Sequence, residues 1–129
     1  MSDYTVVLAQ EMKRITASGG TILDVRNADE HDEQRLLALH ALVPLDKLDP
    51  KDFMLRHGLD RTAPVYLLCK AGTRARRAAD MFVNAGYKNV YVIDGGMLAC
   101  AAAGEPVTGK GSVARSTSAG RPSSPGGCA

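Results

Sequence analysis

The residues best suited to do chemistry lie together in Cys69-Lys70-Ala71-Gly72-Thr73-Arg74. Val65-Tyr66-Leu67-Leu68 precedes them, a short apolar run bounded by Pro64, which reads as a strand buried on both faces. After Arg74 the period changes: Ala75, Ala78, Ala79 and Phe82 recur at one helical face, and Gly86 supplies a helix stop. Cys69 therefore stands at the carboxyl end of a strand, facing a helix N-terminus. Free backbone N–H groups and the helix dipole favour negative charge there. Lys70 and Arg74 add two cations, and Gly72 lets the backbone turn with its N–H groups inward, as in an anion nest. Surroundings of this kind stabilise a thiolate, the nucleophilic form of cysteine. The plain alternative is a core cysteine that caps a strand, since free cysteine is among the most buried residue types.

A second informative stretch is Thr21-Ile22-Leu23-Asp24-Val25-Arg26. Ile22, Leu23 and Val25 make a buried strand, and Asp24 and Arg26 interrupt it near its carboxyl end. A buried carboxylate needs partners. Asp24 and Arg26, two apart on a strand, point the same way. They can pair with each other or bind the N–H groups of a neighbouring loop, a supporting role more than a chemical one. The acidic run that follows (Asp29, Glu30, Asp32, Glu33) reads as a surface loop and short helical turn, with Glu30 able to reach back to Arg26.

The remaining elements position these two stretches. Val6-Val7-Leu8 is a short first strand, and Ala9 to Ser18 a helix with Leu8, Met12 and Ile15 on one core-facing side, ended by Gly19-Gly20. Leu36 to Leu45 reads as a turn or helix fragment and then a short strand at Leu42-Val43, with His40 a partly buried structural residue. Asp49-Pro50 starts a helix, with Asp as N-cap and Pro at the first position. Val90-Tyr91-Val92-Ile93 is a further buried strand broken by Asp94-Gly95-Gly96, and Met97 to Ala103 is a small Ala-rich helix. Strands alternating with helices imply an α/β fold: an open parallel sheet of about five strands with helices on both faces. Ligands bind such sheets beyond the carboxyl ends of the strands. Asp24-Arg26, Cys69 and Asp94-Gly95-Gly96 all fall at those ends.

Bulk properties set the remaining bounds. A chain of 129 residues, 45% apolar, is one domain with a real core. Residues 1–108 form that domain. Residues 109–129 hold 12 Gly, Ser or Pro and one sizeable apolar residue, Val113, and read as a flexible tail. The net charge of +2 rests on Lys110, Arg115 and Arg121 in that tail, so no basic face for nucleic acid is expected. The cysteines (Cys69, Cys100 and Cys128) are odd in number, and no CxxC or Cys/His spacing suits zinc. Neither a secretory leader nor an apolar run of about 20 residues is present, so a cytoplasmic protein with no membrane partner is expected.

Taken together, Leu23-Asp24-Val25-Arg26 with Glu30, Val43-Pro44-Leu45, the Cys69 loop and Asp94-Gly95-Gly96 resemble the rhodanese family, the single-domain thiosulfate sulfurtransferases, from about Val6 to Val107. The resemblance implies covalent catalysis through a persulfide on Cys69. A small-molecule donor such as thiosulfate supplies the sulfane sulfur, and cyanide, a thiol or a protein cysteine accepts it. The loop N–H groups from Lys70 to Arg74 cradle the sulfur anion, while Lys70 and Arg74 attract the donor's sulfonate. No metal or organic cofactor is implied. Two departures stand out: Ala38 and Leu39 replace a glycine-containing turn, and Met97 and Cys100 follow Gly95-Gly96 where the family often carries tryptophan. Cys100 is core packing or a resolving thiol. Other classes are a persulfide relay or a non-catalytic interaction domain. A phosphatase or arsenate reductase fits less well, because those loops place five residues between Cys and Arg, and Cys69 and Arg74 enclose only four.

Overall fold

The computed structural model describes residues 4–110. Five parallel strands form the main sheet: β1 (Thr5–Val7), β2 (Thr21–Asp24), β4 (Ala41–Leu42), β5 (Val65–Leu68) and β6 (Val90–Ile93), in the order β1-β6-β5-β2-β4. β5, buried along its whole length, is the central strand between β6 and β2, and Asp24 of β2 stands opposite Leu68 of β5. The carboxyl ends of β2 and β5 are thereby level, and the residues that follow each strand meet.

Side chains of the central strands alternate between two apolar layers, as strand geometry requires. Leu23, Val25, Val65, Leu67, Cys69, Val90 and Val92 pack with α3 (Pro50–Arg56) and α4 (Thr73–Asn84). Ile22, Tyr66, Leu68 and Ile93 face the other way, against α1 (Met12–Ala17) and α5 (Gly96–Ala102). On α4 the buried stripe is Ala75, Ala78, Ala79 and Phe82. Three alanines let the helix lie close to the sheet, and Phe82 fills the far end.

Several expected elements differ in extent. The first helical stretch splits into a 3-10 turn at Ala9–Glu11 and then α1; Met12 and Ile15 are buried as expected, but Leu8, in extended backbone ahead of the turn, is off the helical face and 54% exposed. The acidic run is a true helix, α2 (Ala28–Glu33), started by a capping box in which Asn27 and Glu30 exchange bonds. The turn or helix fragment expected from Leu36 is instead β3 (Arg35–Leu36), which pairs antiparallel with β7 (Val107–Thr108). Leucine-rich composition favours helix, but here the ladder to β7 and the burial of Leu36 override it. β4 begins one residue earlier than the expected strand and ends at Leu42. Of the expected tail, Gly109 and Lys110 are described, and the Lys110 N–H donates to the Asp32 carbonyl at 2.9 Å. The rest of the tail, with Cys128, lies outside the described residues.

Candidate active site

β5 delivers Cys69 to the sheet's carboxyl edge, and the chain then turns directly into α4. Gly72 makes the turn at φ +111°, a conformation costly for residues with a Cβ. The Cys69 Sγ accepts from the Gly72 N–H at 2.9 Å and from the Ala75 N–H at 3.3 Å. These are N–H groups that the start of α4 leaves without helical partners. Cys69 is 1% exposed, so these two donors meet a buried sulfur.

The loop is held from behind by the start of α5. The Met97 N–H donates to the Cys69 carbonyl at 2.7 Å, and the Leu98 N–H to the Lys70 carbonyl at 3.1 Å. With these carbonyls turned to α5, the loop's N–H groups are left for the sulfur side. Gly96 is required for this contact: a Cβ there would stand 2.2 Å from the Cys69 carbonyl oxygen. The Asp94-Gly95-Gly96 break is thus the loop's support, and it presents backbone rather than side chains to it.

Asp24 and Arg26 form the second support. Both are buried, at 0% and 3% exposure. The Arg26 Nε and Nη2 donate to the Asp24 carboxylate at 3.0 and 2.7 Å, and the Arg26 backbone N–H donates to it as well. The expected pair therefore forms with itself. Arg26 Nη1 continues outward to the Glu30 backbone carbonyl at 3.2 Å. The Glu30 carboxylate does not turn back to Arg26; it accepts from both terminal nitrogens of Arg74, at 2.6 and 2.8 Å. This bidentate pair holds the Glu30 carboxyl at about 2, well below its ordinary value, chiefly through the Arg74 bond. A chain of contacts thus runs from the end of β2, through α2, to the last residue of the cysteine loop.

Each expected loop residue has a defined place. Lys70, Ala71 and Thr73 are exposed at the rim. Among the described residues Lys70 makes no ion pair, and it lines a cleft of about 240 Å3 with Arg26, Glu30, Glu33, Gln34, Met97 and Leu98. Arg74, implied as a donor ligand, has both terminal nitrogens on Glu30 and borders a separate open groove with Arg77 and Met81. Ala75 is a sulfur ligand beyond the expected loop. Its N–H counts only because it opens α4, a role no side chain advertises. Cys100 is buried in the apolar layer opposite that of Cys69. Burial pushes its thiol up to about 11.

A strand-end cysteine whose Sγ accepts from two N–H groups at the start of the following helix, on an open five-stranded parallel sheet, defines a class of α/β domain with a strand–cysteine loop–helix site. The chain belongs to the rhodanese-like domain family, whose sequence pattern matches residues 8–103. It is 32% identical over 98 residues to the thiosulfate sulfurtransferase GlpE of Pseudomonas entomophila, covering 74% of this chain and 84% of that protein. It is 27% identical over 99 residues to the thiosulfate sulfurtransferase GlpE of Pseudomonas aeruginosa, with 74% and 84% covered. The fold is also that of the rhodanese-like domain of the Alr3790 protein from Anabaena, with a TM-score of 0.70 at 22% identity over 91% of this chain and 88% of that one.

Proposed function

We propose that the chain is a sulfurtransferase that carries sulfur as a persulfide on Cys69. The observation that supports this best is the pair of N–H groups, from Gly72 and Ala75, aimed at the buried Sγ. The Cys69 thiolate attacks the outer sulfur of thiosulfate. A bond forms between Sγ and that sulfur, the sulfur–sulfur bond of the donor breaks, and sulfite departs with the electron pair. A thiolate or cyanide then attacks the outer sulfur of the persulfide, and Cys69 leaves as thiolate. The two steps balance without a cofactor or an external oxidant.

The donor enters beside Lys70. That cation is exposed and without an ion pair among the described residues, whereas Arg74 is committed to Glu30. Lys70 takes the sulfonate end, and the loop N–H groups hold the charge that collects on sulfur. Arg74 fixes the loop's end through Glu30. An arginine so engaged, on a loop one residue shorter than a phosphatase requires, leaves little provision for a phosphate. A protein that acts this way forms thiocyanate from thiosulfate and cyanide, and Cys69→Ser abolishes it while leaving the circular dichroism spectrum unchanged. Thiocyanate formation at the wild-type rate by Cys69→Ser contradicts the proposal.

A further inference from the structure

Away from the cysteine loop, α2 and the segment between β3 and β4 bring two imidazoles together. His31 Nε2 and His40 Nε2 are 2.7 Å apart, with ring centroids 5.0 Å apart and planes at 61°. His40 Nδ1 lies 2.7 Å from the Ala38 carbonyl. A carbonyl only accepts, so Nδ1 carries the proton and His40 Nε2 presents a lone pair. Histidines that ligate metals are commonly held this way, with the second ring N–H on a backbone carbonyl. Asp24 adds a carboxylate: one donor atom from each of Asp24, His31 and His40 falls within 4.8 Å of the other two.

We propose that His31 and His40 bind a divalent first-row transition-metal ion through Nε2 of each ring, with Asp24 as an outer carboxylate partner. Neutral imidazole suits zinc, cobalt, nickel or copper, whereas magnesium and calcium prefer oxygen. Two nitrogens on a tetrahedral zinc, each at about 2.0–2.1 Å, stand about 3.3 Å apart, so the rings need to part only slightly. In the metal-free pair His31 Nε2–H donates to His40 Nε2. On binding, His31 takes its other neutral tautomer, with the proton on Nδ1, so both lone pairs face the ion and the protein's charge does not change. The Asp24 oxygens already receive the backbone N–H, Nε and Nη2 of Arg26. Asp24 therefore stays on Arg26 and accepts from a metal-bound water. Its charge offsets that of Arg26. The other nearby cation, Arg35, has its Nη1 at 3.4 Å from the His31 carbonyl. Both rings are half-buried and line an open cleft with Arg35, Leu37, Leu39 and Thr108, which gives a hydrated ion access. The site is new to the sequence pattern because its ligands come from an α2 helix and a loop, at a spacing of no zinc motif.

The test uses the full chain carrying Cys69→Ser and Cys128→Ser, which removes the thiolates that would bind a soft metal themselves. Titration with Co2+ by calorimetry should show one ion per chain. His31→Gln and His40→Gln should each weaken binding by about 30-fold or more, within the range that even outer-partner losses reach, and His57→Gln should not. The same protein with all histidines intact gives a readout independent of the substitutions: Co2+ should broaden the His31 and His40 imidazole signals in 1H–15N spectra before that of His57. No uptake, uptake unaffected by both substitutions, or broadening of His57 first overturns the site.

Discussion

Under the proposed mechanism Cys69 draws on two backbone donors and on Lys70, a cation without an ion pair among the described residues, and these divide its chemistry. The Gly72 and Ala75 N–H groups meet the sulfur; if Lys70 meets the donor as proposed, Lys70→Gln should raise the KM for thiosulfate about tenfold, the worth of one charge-assisted bond, with a smaller change in kcat. Steady-state kinetics over a range of thiosulfate concentrations separates the two. An equal fall in kcat and kcat/KM, with KM unchanged, would place Lys70 in the transition state instead. Residue types and spacing made the cysteine loop legible: a thiol, two cations and a glycine before a helix are local signals. Glu30 was legible only as an acid near Arg26, because its carboxylate's partner lies 44 positions away, in the other motif. The His31–His40 contact is equally hidden, since neither residue carries a neighbour in sequence that marks it as a ligand.

At the scale of elements, two supports fix the loop, and each can be broken separately. Gly96→Ala places a Cβ against the Cys69 carbonyl at φ +57°. It should cost about 1–3 kcal/mol, as overpacking does, and persulfide formation should fall with it. Urea unfolding and thiosulfate-dependent labelling check the two effects on one sample. Asp24→Asn leaves the Arg26 guanidinium buried beside a neutral amide and should destabilise by about 3–5 kcal/mol, read as a lowered unfolding midpoint. The long strands were legible because runs such as Val65–Leu68 and Val90–Ile93 have one reading at their length. β3 and β7 have two residues each, too few to show a period, and only their mutual pairing makes them strands. The helix at Asp49-Pro50 was legible from its cap, and the Asp49 carboxylate does accept the Asp52 N–H, at 3.3 Å.

At the scale of the whole molecule, the sheet order brings the ends of β2 and β5 side by side, and the Glu30–Arg74 pair ties α2 to α4 across them. Glu30 titrates at about 2 in the folded protein against an ordinary 4.5. Its contribution to stability is therefore complete above about pH 4.5 and is lost as pH falls towards 2. The Tm advantage of wild type over Glu30→Gln, measured from pH 6 to pH 2.5, should shrink across that window; a constant difference would mean that the ion pair is not what Glu30 contributes. The two described cysteines should also differ globally. Iodoacetamide at pH 8 should modify Cys69 in the folded protein and Cys100 only on unfolding, because burial keeps the Cys100 thiol protonated until about 11. Peptide mass mapping distinguishes the two sites. Among the described residues, no helix is long and apolar enough to cross a membrane. The most direct test of the account is the intact mass of wild type and Cys69→Ser after incubation with thiosulfate under non-reducing conditions. The account predicts a gain of one sulfur atom in the wild type and none in the variant. An unmodified wild type, folded and with Cys69 reduced, or the same gain in both proteins, would contradict it.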